Sequence, residues 1–300
     1  MKIPSFSIRR NAQYAILFLL SGILLASCET ITLIDLPEEK PQLVVNAVFN
    51  ADSLVKVDLS QSQSVNTSGS RFTAVENASI EVFQNAASIG FLDYKGKGKY
   101  LSKTPLFNEP GAEYSLKVRA SDFETAEATE IMPAEPVIGN LSLKASYPNG
   151  SGYQSYKGSF TLDDAPEDNY YFLRVWLVNN NNSKSLLYVS LENTLGQFEP
   201  YGMRSSGEYL FNDKSFNGKT LTLNIETTQG FYVSENEKPK ILIELANIPK
   251  SYYSYQYDVN KQSNSDPVFS PDKSPVSNNI KNGLGIFAPY NSAALYYDVK

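Results

Sequence analysis

Apolar and polar residues alternate with period two along most of this chain, the pattern of strands with one buried face. In "LVKVDLSQS", Val55, Val57 and Leu59 point one way and Lys56, Asp58 and Ser60 the other. In "ASIEVFQN", Ile80 and Val82 oppose Ser79, Glu81 and Phe83. "EPGAEYSLKVRAS" opens on the turn pair Pro110-Gly111 and then alternates through Tyr114, Leu116 and Val118. Short strands between turn signals predict a β-sandwich of immunoglobulin-like size. Pro133 and Pro136 in "IMPAEPVIGN" interrupt strand pairing and set a domain boundary there. Beyond it, "LSLKASY", "YKGSFTL", "NYYFLRVWLVN", "KSLLYVSLEN", "TLTLNIET" and "PKILIELANI" are strand candidates rich in aromatic and β-branched residues. "NNNNSKS" reads as a hairpin tip, and "FNGK", Phe216 to Lys219, carries the Asn-Gly pair of a tight hairpin turn.

One stretch leaves this period. In "IPKSYYSYQYDVNKQ", Tyr252, Tyr255, Val259 and Gln262 share a helical face, with Tyr253 and Tyr257 on a neighbouring one. Pro249 suits a first helical turn. Pro267, Pro271 and Pro275 then impose an extended loop. The fold class is therefore all-β: two β-sandwich, immunoglobulin-like domains with a short helix near the C-terminus. The expected division is 1–27 signal peptide, 28–41 acidic tether, 42–134 first sandwich and 137–300 second.

The front end has a different logic. Lys2, Arg9 and Arg10 precede the uncharged run "YAILFLLSGILLA", and small residues lead into Cys28, the one cysteine of the chain. This is a secretory signal, too short to span a bilayer. Leu25, Ala26 and Ser27 before Cys28 resemble a bacterial lipobox, which implies cleavage before Cys28 and its acylation with chains such as palmitate. Two or more chains make a lasting anchor, because each buried methylene contributes about 0.8 kcal/mol. Membrane lipid, reached through acylated Cys28, is thus the first expected partner.

Charge and composition narrow the function. Loss of residues 1–27 leaves 23 of the 26 Lys and Arg against all 32 Asp and Glu, a net of −9. An acidic surface without a basic block argues against nucleic acid. There is no histidine, which removes the Ser-His-Asp and Cys-His arrangements and the usual zinc sites. A non-enzymatic protein without a cofactor is expected. Asp163, Asp164, Glu167 and Asp168 are the one carboxylate cluster with calcium-like chemistry, although their spacing is not that of an EF-hand. A solvated turn-forming loop is the competing reading. Twenty tyrosines against one tryptophan direct attention to Tyr252, Tyr253, Tyr255 and Tyr257 as a recognition surface, since no single helical face buries them all, with packing against the prolines of the following loop as the competing reading.

The tail "NIKNGLGIFAPY" resembles the closing motif of a Bacteroidota lipoprotein family, domain of unknown function 4249. "DLPEEKPQLVVNAVF", "PGAEYSLKV", "FTLDDAPEDNYYFLRV", "FNDKSFNGK" and "IPKSYYSYQYDV" agree with it in order. The resemblance implies an outer-membrane lipoprotein near a TonB-dependent receptor, with no catalytic residues to carry over. Three functions follow as expectations: an accessory subunit of such an envelope complex, a surface glycan- or peptide-binding lipoprotein, and, last, an envelope hydrolase. Gly283 and Gly285 in the same tail are read as positions where a Cβ would obstruct close backbone approach. The periplasmic or cell-surface face is left open.

Overall fold

A computed structural model describes residues 40–63, 72–146, 153–193, 201–203, 207–233, 238–263 and 275–299. The signal peptide, Cys28, nearly all of the tether, and Pro267 and Pro271 lie outside them. Strands β1 (Leu43–Asn50) and β2 (Leu54–Gln61) bury alternate residues, as their sequence alternation demands: Leu43, Val45, Ala47 and Phe49 in one, Val55, Val57 and Leu59 in the other. β3 (Ala78–Gln84), β4 (Ala87–Phe91), β5 (Asp93–Tyr94), β6 (Lys99–Pro105), β7 (Glu113–Ala120) and β8 (Ala126–Ile131) complete the first half. β4-β3-β7-β8 make one sheet and β1-β2-β6-β5 part of another. Their apolar faces close on a common core containing Val57, Ile80, Tyr114, Val118 and Met132. This is a sandwich.

The second half comprises β9 (Val137–Ser146), β10 (Tyr153–Asp163), β11 (Tyr170–Val178), β12 (Lys184–Leu186), β13 (Val189–Asn193), β14 (Tyr201–Met203), β15 (Glu208–Asn212), β16 (Thr220–Thr227), β17 (Phe231–Tyr232), β18 (Lys240–Asn247), helix α1 (Lys250–Ser263) and β19 (Leu284–Asp298). A five-stranded sheet, β13-β16-β10-β17 with β9 on β10, packs against β15, β11 and β18 around Phe160, Leu173, Phe216, Leu223 and Ile243. The Asn-rich segment is the predicted hairpin tip, between β11 and β12, with Asn182 at φ 60° and Asn179 N–H bonded to Ser183 O at 3.0 Å. "FNGK" differs from expectation. β15 and β16 belong to different sheets, so Phe216–Lys219 is a turn in a crossover, closed by Lys219 N–H to Phe216 O at 2.9 Å.

The 15-residue β19 joins the halves. Its first part runs parallel to β1, from Val44↔Leu284 to Asn50↔Tyr290. Its second part runs antiparallel to β18, from Asn247↔Asn291 to Lys240↔Asp298. One ten-stranded sheet therefore passes through both sandwiches. Ile280 and Phe287, far beyond Pro136 in the chain, pack in the first core.

The predicted close approach at the glycines is present. A Cβ on Gly285, whose φ is +114°, would lie 2.0 Å from Val45 O; one on Gly283 would lie 2.9 Å from Leu43 O. Asn279 serves the edge of β19 that β18 does not reach. Its side-chain amide donates to Phe287 O at 2.8 Å and accepts from Phe287 N–H at 2.9 Å, standing in for a neighbouring strand. Buried Asn247 and Asn291 donate to Ala134 O (3.1 Å) and Pro133 O (3.4 Å), tying the Pro-rich linker to the shared sheet. Helix α1 lies over this junction, on a small core of Phe172, Leu210, Ala246, Ile248, Tyr252, Ile286 and Ala288. Pro249 directly precedes the helix and its carbonyl accepts from Tyr253 N–H at 3.0 Å.

Candidate functional site

The first sandwich is open along one side. β4 is an edge strand, and a register irregularity between Val82 and Phe83 leaves Ile89 without a cross-strand partner. Opposite it, the β2–β6 ladder is irregular between Leu54 and Lys56, where Ser102 Oγ accepts from Val55 N–H at 2.9 Å and donates to Thr104 O at 2.7 Å. Two irregular edges facing each other cannot close, and a groove of about 410 Å³ remains between them. Buried Val55, Val82, Leu92 and Leu106 line its apolar part. Ile89 (41% exposed), Phe91 (55%) and Phe107 (81%) stand at its walls. Gln84, Ser102, Lys103 and Thr104 supply its polar lining. A groove with an apolar floor and a polar side is suited to capturing an amphipathic segment, its polar groups fixing orientation.

The tyrosine cluster has another place. Tyr252 is buried, edge-on to Phe172 with ring centres 6.5 Å apart, and Tyr253 packs on Tyr170 at 5.1 Å. Burial pushes the Tyr252 hydroxyl up to about 12, against a hydrogen bond from Gln256. Burial also raises half-buried Tyr255. Tyr257 remains 37% exposed. The structure brings the four onto one helix and commits three of them to packing at the sandwich junction.

Beside α1, Arg174 lies between the rings of Phe172 (5.2 Å) and Trp176 (5.8 Å). It pairs with Glu244 at 3.2 Å, and Trp176 Nε1–H donates to the same carboxylate at 2.9 Å. Sequence reasoning missed this ladder. Its signal was the i, i+2, i+4 run Phe172, Arg174, Trp176 on one strand face. The groove was missed for a different reason: Val55, Val82, Phe91 and Leu106 belong to four separate segments.

Two of the four acidic candidates, Asp163 and Asp164, hold the crossover turn. Asp163 accepts from Thr220 Oγ1–H at 2.7 Å. Asp164 accepts from Tyr171 O–H at 2.6 Å and Gly218 N–H at 2.8 Å, which ties the crossover turn to β11. Glu167 and Asp168 are exposed. Asp213, 1% exposed, accepts from Asn169 N–H at 2.6 Å. Among the described residues no three carboxylates, thiols or imidazoles gather as metal ligands. Burial raises the pKa of both Asp164 and Asp213, their hydrogen-bond donors opposing it. Burial, then the bond to Asp164, holds the Tyr171 hydroxyl protonated. A carboxyl whose folded pKa exceeds its unfolded value contributes most stability below the unfolded pKa and loses that contribution as pH rises through the folded one. Asp213→Asn should therefore show a smaller loss of urea midpoint than wild type between roughly pH 3 and pH 7, which lie below and above a carboxylate's usual pKa of about 4. Equal losses in the two proteins would contradict this. The lipobox residues Leu25, Ala26, Ser27 and Cys28 lie outside the described residues.

Fold and groove define an all-β protein of two sandwiches sharing one sheet. The chain belongs to the family described as Domain of unknown function (DUF4249), whose model matches residues 29–295. A search of curated proteins finds no match. Among solved structures, the collagen adhesin from S. aureus is similar at 6% identity and a TM-score of 0.21, over 86% of this chain and 95% of that one. So low a similarity carries nothing about what this chain binds.

Proposed function

We propose that the protein is a lipid-anchored, non-enzymatic binding subunit of the outer membrane, held by acylated Cys28 and working with a TonB-dependent transporter or another envelope protein. The observation that carries the binding role is the apolar groove between β4 and β6, set in a body whose two halves are joined by a single strand. A groove already formed between paired strands lowers the ordering cost of binding. Exposed aromatics at its walls are the residue types that dominate interface energetics. Its volume, about 410 Å³, also falls in the range of small-ligand sites, which favours a second reading: direct capture of a short peptide or glycan.

One experiment separates the two. Phe91→Ser with Phe107→Ser changes exposed side chains, so stability should move by no more than about 0.5 kcal/mol. Recovery of a stoichiometric envelope partner from solubilised membranes should fall by roughly tenfold or more, the loss expected when two aromatic anchors go. Wild type recovered alone would count against the accessory role, and retention of a soluble peptide or glycan by that lone protein would favour the second reading.

A further inference from the structure

Lys95, Lys97 and Lys99 place three lysines within five residues, in a chain whose mature balance is −9. They stand at the tip of the β5–β6 hairpin, and all three are exposed. The tip is fixed: Lys95 N–H bonds to Lys99 O at 2.7 Å, Lys99 N–H to Gly96 O at 3.0 Å, and Leu59 N–H to Gly98 O at 2.7 Å. Surrounding acids are engaged. Asp93 pairs with Lys95 (3.5 Å) and Lys103 (3.8 Å), Asp58 pairs with Lys56 (3.0 Å), and Glu76 is hydrogen-bonded to Tyr94. Among the described residues, Lys97 and Lys99 make no ion pair.

The sheet register puts this tip at a particular end of the body. β1 begins at Leu43 and pairs Leu43↔Gln61, while β2 pairs Asp58↔Lys99, so the tip lies where the chain enters from residue 40. Gln42 and Ser62 are joined by two hydrogen bonds, and Gln61 N–H bonds to Thr73 O at 3.0 Å. Next to Thr73 is Phe72, 71% exposed, and Tyr94 in the hairpin is 41% exposed. The entry end therefore presents an aromatic ring, a tyrosine and unpaired lysines together. Phe107 and Pro105 of the groove lie toward the other end, beside Leu54, while its Phe91 and Lys103 extend toward the hairpin, where Lys103 pairs with Asp93.

We infer that this entry end is a membrane-contact surface, in which Lys97 and Lys99 meet lipid phosphates and Phe72 and Tyr94 enter the headgroup layer. The inference rests on the anchored reading of Cys28. The twelve peptide steps from Cys28 to Lys40 reach at most about 40 Å, a length that by itself selects no orientation of the body. Lysines attracted to anionic lipid and aromatic rings at the interface select one orientation. That orientation turns the Phe107 end of the groove away from the lipid, where a partner can reach it.

The test uses the acylated full-length protein in vesicles. Acylation consumes Cys28, so one introduced cysteine takes one fluorophore: Thr73→Cys at the entry end, or Glu109→Cys at the groove end. Vesicles of phosphatidylcholine with phosphatidylglycerol, carrying a nitroxide-headgroup quencher, should quench the Thr73→Cys label far more than the Glu109→Cys label. Phosphatidylcholine alone should reduce the difference. Adding Lys97→Glu and Lys99→Glu should lower the ratio of docked to free orientations by roughly tenfold or more. Equal quenching at the two sites, with mass spectrometry showing an acylated Cys28, overturns the membrane-contact surface and leaves the lipoprotein reading intact. An unacylated N-terminus overturns both.

Discussion

Gly285→Val is expected to destabilise the whole body by at least about 3 kcal/mol, lowering the melting temperature by roughly 10 °C. Two costs combine. The φ of +114° is one that a β-branched residue does not accept, and the new Cβ would sit 2.0 Å from Val45 O, a backbone atom that cannot swing aside. β19 would have to leave β1, and Phe287 would leave the first core with it. Gly111→Ala is the control for strain alone. It has φ +83° with nothing within 4 Å of the added Cβ, and should cost about 1–2 kcal/mol. Trp176, the only tryptophan, reports on the second sandwich, whereas the lesion lies in the ladder to the first. A shared β19 predicts that its fluorescence transition moves together with the circular-dichroism transition. If the tryptophan midpoint stayed at the wild-type value while the β signal fell early, the sandwiches would be independent and the joint would not couple them.

That coupling marks the limit of what alternation can say. Val55, Val57 and Leu59 reveal which face of a strand is buried, because side-chain direction has period two. They do not reveal which strand lies alongside. The division at Pro133 and Pro136 follows from local stiffness, which says where pairing is interrupted and nothing about which core a later strand joins. The return of Ile280 and Phe287 to the first core is a long-range choice that no local pattern encodes. Gly283 and Gly285 were legible as places of close approach, though not what approaches them. "FNGK" shows the converse: Asn-Gly specifies a tight turn, but whether the flanking strands pair is decided by the sheets they join. The tyrosines of α1 were legible as a helix. Their burial depended on Phe172, Leu210 and Ile286, brought from three other strands. The groove was not legible, since it is what remains where two irregular edges fail to meet.

Removing the Cys28 thiol is expected to move the protein from the washed envelope pellet to the soluble fraction. The variant must be made behind an ordinary cleavable secretory signal. Without a cysteine the lipoprotein cut is lost, and an uncut Tyr14–Ala26 run would itself hold the chain to a membrane. With Cys28→Ala processed in that way, the forces left are weak ones. Among the described residues no helix is long and apolar enough to cross a bilayer. The mature charge of −9 repels anionic lipid overall. The lysine hairpin adds about 1 kcal/mol per residue near the surface, which high salt screens within a Debye length. Acyl chains differ in kind, because each methylene contributes about 0.8 kcal/mol that salt does not screen. Wild type should therefore stay in the pellet through a high-salt wash. The variant should show only a small bound fraction, and lose it in the same wash. A variant that sediments like wild type after salt would mean that something other than acyl chains holds the body to the envelope. The anchored reading and the orientation built on it would then fail together.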